Sequence, residues 1–271
     1  MRPPITVGID GFPESPHAAH WAAHEALLRD LPLRLVHAWV LLAPTDTGVL
    51  SEEHLPRGMD QNYWARRLLS DTVQELRHAH PGLNVTAELL PRDAVTALLA
   101  ACADAEMLVL GSRGRGTLTA YLLGSTGRQL LARGVRPMVL VHADDAGRSP
   151  DVTVGLGLRR PYDEVLAFAF DEAARRGGAL RAVHAGARRA DADAAAAVGA
   201  ALRPWREKYP GVPVAEDITA ERPGRAVVRA AADSGLLVLG RDEHGAVPRV
   251  GSVTHAAVHH APCPVAVVPS G

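Results

Sequence analysis

Aromatic residues make up only 4% of this 271-residue chain, too few for a stacking platform on single-stranded nucleic acid. An excess of charge is missing as well. The 29 basic residues face 30 acidic ones, a formal net charge of −1, which argues against a general nucleic-acid surface. Cysteine is nearly absent. Cys102 and Cys263 stand in no zinc or redox spacing, so reduced thiols in a cytoplasmic protein are expected. The opening MRPPITVGID has no signal-peptide apolar core. No run reaches the roughly 18 apolar residues that a bilayer span requires. Neither a nucleic-acid nor a membrane partner is therefore expected.

Several catalytic signatures are also missing. No Gly-Lys-Ser/Thr ending marks a Walker loop. No G-x-S-x-G elbow marks a serine hydrolase. His17, His20 and His24 share a helical face, but no acidic or cysteine ligand joins them in a recognised metal spacing. They read as solvated helix-face residues.

What the chain does have is a repeat. Residues 5–39 read ITVGIDGFPESPHAAHWAAHEALLRDLPLRLVHAW, and residues 152–186 read VTVGLGLRRPYDEVLAFAFDEAARRGGALRAVHAG. Each copy runs from an apolar strand through a turn and a helix to a strand ending in Val-His-Ala. Each half also closes alike, with a glycine segment, a Gly-Ser pair and an apolar strand: VRPMVLVH in the first, APCPVAVVP in the second. Repetition at this scale sets the architecture. Two domains are expected, 1–145 and 150–271, joined by the linker ADDAGRSP at 143–150.

Within the first half, strands are expected at Ile5–Ile9, Leu33–Val40, Leu83–Leu89, Met107–Leu110 and Met138–Val141. Helices alternate with them, the first opened by Ser15 as cap and Pro16, the last by Ser125 as cap. The first two strands are mostly apolar rather than cleanly alternating, as in a parallel sheet covered on both faces. The fold class is therefore α/β, two tandem open-sheet domains with helices on both faces of each five-stranded parallel sheet. Residues 43–60 form a polar insertion that the second half lacks. The last strands, at 138–141 and 265–268, would be exposed edges unless something pairs with them.

The chemistry concentrates in the first half. Gly111, Ser112, Arg113, Gly114, Arg115 and Gly116 leave a buried strand, and Gly124, Ser125 and Thr126 open a helix. Glycines let backbone N–H groups approach a ligand, and a helix N-terminus adds positive charge, so the segment suits a phosphate. Asp10, at the end of strand 1, is placed to bind ribose hydroxyls or a phosphate-bound Mg²⁺. Turn punctuation and an ordinary helix cap explain the same residues equally well. Glycines after strand 4, not strand 1, exclude the dinucleotide fingerprint.

The ordered set Gly111-x2-Gly114-x9-Gly124-Ser125, the opening V-G-I-D-G, the strand ending V-H-A and the closing APCPVAVVP resemble the universal stress protein family, over essentially the whole chain. The resemblance implies sheet order 3-2-1-4-5 in each domain and ATP binding in one branch. Asp10 then matches the acidic residue near ribose and phosphates. Val36, His37 and Ala38 match the strand end whose backbone borders adenine, and Gly111, Gly114, Gly124, Ser125 and Thr126 match the phosphate loop. Arg92-Asp93-Ala94 departs from the family's usual Gly-x-Pro. In the second half Gly157 replaces Asp10, Glu243 stands where Gly114 does, and the loop is two residues shorter. An acidic side chain there repels phosphate, so no ATP or only weak binding is expected in that half. The resemblance also suggests pairing of the last strands across a pseudo-twofold axis, an internal pseudo-dimer, with a further homodimer left open.

The resulting expectation is a stress-response protein that binds ATP, with Mg²⁺, in its N-terminal domain and acts as a nucleotide-dependent sensor or regulator with a protein partner. The alternatives are a nucleotide-independent interaction module and a slow ATPase.

Overall fold

The computed structural model describes residues 2–39, 61–115, 118–122, 124–142, 149–158, 162–186, 192–241 and 250–269. Its first half runs β1 (Ile5–Gly8), α1 (Glu14–Arg29), β2 (Leu33–Ala38), α2 (Gln61–Ala79), β3 (Val85–Leu90), α3 (Ala94–Ala103), β4 (Met107–Arg115), β5 (Leu118–Leu122), α4 (Ser125–Arg133) and β6 (Met138–His142). Its second half runs β7 (Val152–Gly155), α5 (Asp163–Arg176), β8 (Leu180–Ala185), α6 (Ala192–Lys208), β9 (Val214–Thr219), α7 (Pro223–Ala230), β10 (Leu236–Gly240), α8 (Ser252–His260) and β11 (Val265–Val268).

Ten of the strands form one continuous sheet in the order β3-β2-β1-β4-β6-β11-β10-β7-β8-β9. Each half is parallel and follows the expected order 3-2-1-4-5. The halves meet where β6 and β11 pair antiparallel, Leu140 opposite Val265 and Met138 opposite Val267. The edge strand of each half is thus covered by the matching strand of the other. The outermost strands, β3 and β9, carry charge instead. On β9, Glu216 pairs with Arg206 and Asp217 with Arg229, a dressing that discourages further strand addition.

The sheet is covered on both faces, and both cores cross the junction. One runs from Ile5, Val7 and Leu35 to Val154, Phe170 and Val238 under α1, α2, α5 and α6. The other joins Leu98, Leu130 and Met138 to Val227, Val258 and Val265 under α3, α4, α7 and α8. Small residues let α1 lie close to its sheet: Ala18, Ala19, Ala22, Ala23 and Ala26 are completely buried. The helix ends on Asp30 in the left-handed region (φ 53°), whose N–H reaches the carbonyls of Ala26 and Leu27. The corresponding end of α5 uses Gly177 at φ 64°, the residue type that conformation favours.

Where α1 and α5 face each other, four charged side chains close a buried ring. Arg29 bonds Glu25 at 2.6 Å and Glu172 at 2.6 Å. Arg176 bonds Glu25 at 2.6 Å and Glu172 at 2.9 Å. Both glutamates have no solvent exposure. Arg29 also lies over Phe168, and Arg176 over Trp21. Two like motifs, Glu25-x3-Arg29 and Glu172-x3-Arg176, thereby neutralise one another across the junction.

Three local expectations are corrected. Ser15 does not cap α1. The helix starts at Glu14 with Pro13 before it, and the Ser15 hydroxyl instead meets Asp10. Ser125 does not cap α4, because Gly124 holds that position and Ser125 is the first helical residue. The segment after Leu110 is not simply a loop. β4 continues to Arg115 and turns back through β5, with Arg113 opposite Leu122 and Gly114 opposite Tyr121. The insertion 43–60 and linker residues 143–148 lie outside the described residues.

Candidate functional site

β1 lies between β2 and β4, with Gly8 opposite both Val36 and Leu110. The chain leaves β1 for β2 on one side, and β4 lies on the other, so a crevice opens at the C-terminal edge between them. This is where open α/β sheets hold ligands. Asp10, His37, Ala38, Gly111 and Ser112 follow directly along these three strands and so reach that edge together. Helix α4 returns the chain to the start of β6 beside β4, which brings its own N-terminus, with Gly124, Ser125 and Thr126, to the same edge.

Asp10 is oriented by short local bonds. Its Oδ1 accepts from the Ser15 hydroxyl at 2.5 Å and from the Phe12 N–H at 3.1 Å. Its own N–H donates to the Ser15 Oγ at 3.1 Å. The side chain is thus held at the rim and not folded into the core. Such a carboxylate suits Mg²⁺, which takes one or two carboxylates and draws its other ligands from phosphate and water. His37 is anchored through Nδ1, which lies 2.7 Å from the Ile9 carbonyl. Donation from Nδ1 leaves Nε2 as the second functional nitrogen. Val36 points away from the crevice, fully buried in the core under α3 and α4, so only its backbone borders the site.

Gly111 has a packing reason to be glycine. A Cβ there would stand 3.0 Å from the Glu14 backbone. Ser112 is more suggestive. Its side chain is 2% exposed, and its hydroxyl finds no partner among the described residues, a cost that a polar ligand would remove. The N-terminus of α4 has a glycine cap, no side-chain cap bond and no acidic residue in its first turn. Its N–H groups and positive dipole end therefore stay available to an anion. Arg113, Gly114 and Arg115 belong to the β4 extension. Gly116 and, in the second copy, Glu243 lie outside the described residues.

The sequence reading missed Trp64. From α2 its ring leans on Gly11, where an added Cβ would come within 2.6 Å of the indole. It meets His37 edge-on at 5.7 Å and is still 55% exposed. An aromatic residue at helical spacing reads as core. Only the fold carries it to the crevice mouth.

The second copy repeats the plan with different chemistry. His184 Nδ1 lies 2.9 Å from the Leu156 carbonyl, as His37 does with Ile9. The crevice between β7 and β10 is a cavity of about 430 Å³, walled by Leu156, Tyr162, Val227 and Leu239 and closed at one end by the start of α8. Gly157 replaces the carboxylate, with open space around it.

His17 contacts the Pro13 carbonyl, and His20 pairs with Glu75 at 3.0 Å. No cluster of three or more metal-binding side chains occurs among the described residues. Burial, then the Arg176 charge, lowers the His24 pKa. Both cysteines are buried, and burial pushes the Cys102 thiol up. No helix among the described residues is long and apolar enough to cross a membrane.

A family model described as the universal stress protein family matches residues 1–142 and again 151–269. A universal stress protein of Mycobacterium tuberculosis is 33% identical over 97% of this chain and 96% of its own length. One from Mycolicibacterium smegmatis is also 33% identical, over 97% and 96%. Among solved structures, a universal stress protein from Archaeoglobus fulgidus superimposes with a TM-score of 0.78 over 98% of both chains, at 17% identity, a likeness of fold.

Proposed function

The chain belongs to the universal stress protein family, and on that premise we propose that its N-terminal half binds ATP with Mg²⁺ and serves as a nucleotide-dependent sensor or regulator. The observation that carries this reading is the uncapped start of α4 at the same sheet edge as Asp10. Gly124 opens the helix without a side-chain cap, beside strand ends that also bring the buried Ser112 hydroxyl, which has no partner among the described residues. In this reading the α4 N–H groups, Ser125 and Thr126 take the phosphates, with Gly111 and Gly114 giving the backbone room. Asp10 takes Mg²⁺ or the ribose. The ends of β1 and β2 border the base.

The test is calorimetric titration of the intact chain, stripped of copurified nucleotide, with ATP and Mg²⁺. One saturable site is expected in the N-terminal half. Gly124→Asp places a carboxylate at the start of α4, where a Cβ meets nothing within 4 Å, and should weaken ATP at least ~10-fold. Asp10→Ala should chiefly remove the Mg²⁺ dependence. A titration without saturation defeats the proposal.

Trp64 supports a second reading. If its indole fills the base position, the half is a nucleotide-independent interaction module. Trp64→Ala then opens the crevice and strengthens ATP binding. If the ring stacks on the base, the same change weakens binding by about 1–3 kcal/mol.

A further inference from the structure

The two halves run in opposite directions across their seam. Because β6 and β11 pair antiparallel, the C-terminal edge of one half's strands lies against the N-terminal edge of the other's. Helix α4 ends at that seam, on Gly134. Its packing there is tight: a Cβ on Gly134 would stand 3.0 Å from the Leu130 carbonyl and 3.0 Å from the Met138 sulfur. The Gly134 N–H closes the last turn on the Leu130 carbonyl at 2.7 Å. Its own carbonyl lies past that turn and has no intrahelical donor. Arg241, at the end of β10 in the other half, donates to it.

This contact distinguishes the copies. Gly111 pairs with Val141 of β6, and Gly240 pairs with Val268 of β11, at matching register positions. Arg241 therefore stands where the first copy has Ser112. The serine is buried and its hydroxyl has no partner among the described residues. The longer arginine crosses the seam, its backbone fixed by an N–H that donates to the Val268 carbonyl at 2.8 Å. A guanidinium at a helix C-terminus also opposes the negative end of the dipole. A second contact runs the same way, since β5 packs against α8 of the other half.

α4 is nine residues long, so its ends lie ~13 Å apart. Fixing its C-terminal end sets where the N-terminal N–H groups point, and a binding constellation tolerates errors of only ~0.5 Å. Resting on the nucleotide reading of that helix start, we propose that Arg241 of the second copy is a positioning residue for the nucleotide site of the first. It acts through α4, by anchoring Gly134.

The test uses the intact chain with Arg241→Met, which keeps an apolar stem and loses the donors, and Arg241→Lys, which keeps charge and donors. Two readouts are compared: calorimetric titration with ATP and Mg²⁺, and backbone hydrogen exchange without nucleotide. Arg241→Met should weaken ATP roughly 5-fold. It should also speed exchange in α4 by about the same factor, with α2 and α6 unchanged. Arg241→Lys should restore most of both. The loss should persist in about 0.5 M salt, where a long-range effect of the missing charge is screened. Thermal unfolding checks that the variants fold. If the methionine variant does not, Arg241→Ser, which installs the residue of the first copy, takes its place. A wild type that binds no ATP defeats the nucleotide reading, and exchange in α4 then decides the anchoring by itself. Unchanged ATP affinity, unchanged α4 exchange, equal acceleration in α2, α4 and α6, disappearance of the effect in salt, or no recovery with lysine would each overturn the proposal.

Discussion

Single residues show how one repeat position is spent differently in the two copies. Asp30 and Gly177 both end a helix with positive φ, at 53° and 64°. Only the aspartate pays a steric cost there. Its ion pair with Arg2 is solvent-exposed and contributes little. Asp30→Gly should therefore stabilise the chain by about 0.5–1 kcal/mol, read as a higher urea midpoint with unchanged slope. Glu172 carries a pH dependence. Burial first, then the adjacent Glu25 carboxylate, raises its pKa to about 7 from an ordinary 4.5, against the pull of Arg176 and Arg29. The folded chain therefore holds this proton more tightly than the unfolded chain. The associated stability is fully present below pH 4.5 and is lost as the pH rises through about 7. The loss is on the order of 3 kcal/mol. Glu172→Gln cannot titrate, so its denaturation midpoint should fall less than the wild type's between pH 5 and pH 8. An identical fall would remove Glu172 from the account. Neither effect was visible from residue type alone. Glu25 and Glu172 stand at the same repeat position, each with an arginine four residues on, but only the fold brings the two pairs together.

At the scale of elements, strongly patterned segments were legible and tertiary ones were not. Helices Ala94–Ala103 and Ser125–Arg133 lie where apolar spacing and flanking residues put them, because their buried faces agree with local propensity. The glycine-rich stretch after Leu110 has the local composition of a loop. Its β5 turn gains its support from a distance, packing against α8 of the other half. No local pattern announces a partner so remote in sequence. The same holds for α1 and α5, each of which looks like a surface helix until the other covers it. Their ring gives a sharp prediction. Arg176→Met leaves Glu25 and Glu172 sharing Arg29 in a buried site. It should cost about 3–5 kcal/mol. Replacing Glu25, Arg29, Glu172 and Arg176 together by Leu or Met should recover most of that loss, because desolvating four charges offsets much of what their attraction contributes. Chemical denaturation of the two variants decides it. If the fourfold variant is no more stable than Arg176→Met, the ring stabilises far more than a buried ion pair normally does.

The whole molecule behaves as a dimer written on one chain, and its seam is self-complementary. β6 and β11 occupy the same place in their halves and pair antiparallel, as an isologous two-fold contact requires. The charge ring obeys the same symmetry, since each half contributes one glutamate and one arginine at matching positions of its first helix. The N-terminal half alone should therefore replace its missing partner with a second copy of itself. β6 would pair with β6, and each Glu25 would meet the other copy's Arg29. Residues 1–142, expressed separately, are expected to sediment as a dimer at micromolar concentration. The unpaired, fully buried edge of Met138–His142 would otherwise be left exposed. Glu25→Lys turns that ring into four like charges and should drive the half to monomer or aggregate. If the isolated half sediments as a stable monomer, the seam owes its stability to features peculiar to the C-terminal copy, and the symmetry of the ring does not govern assembly.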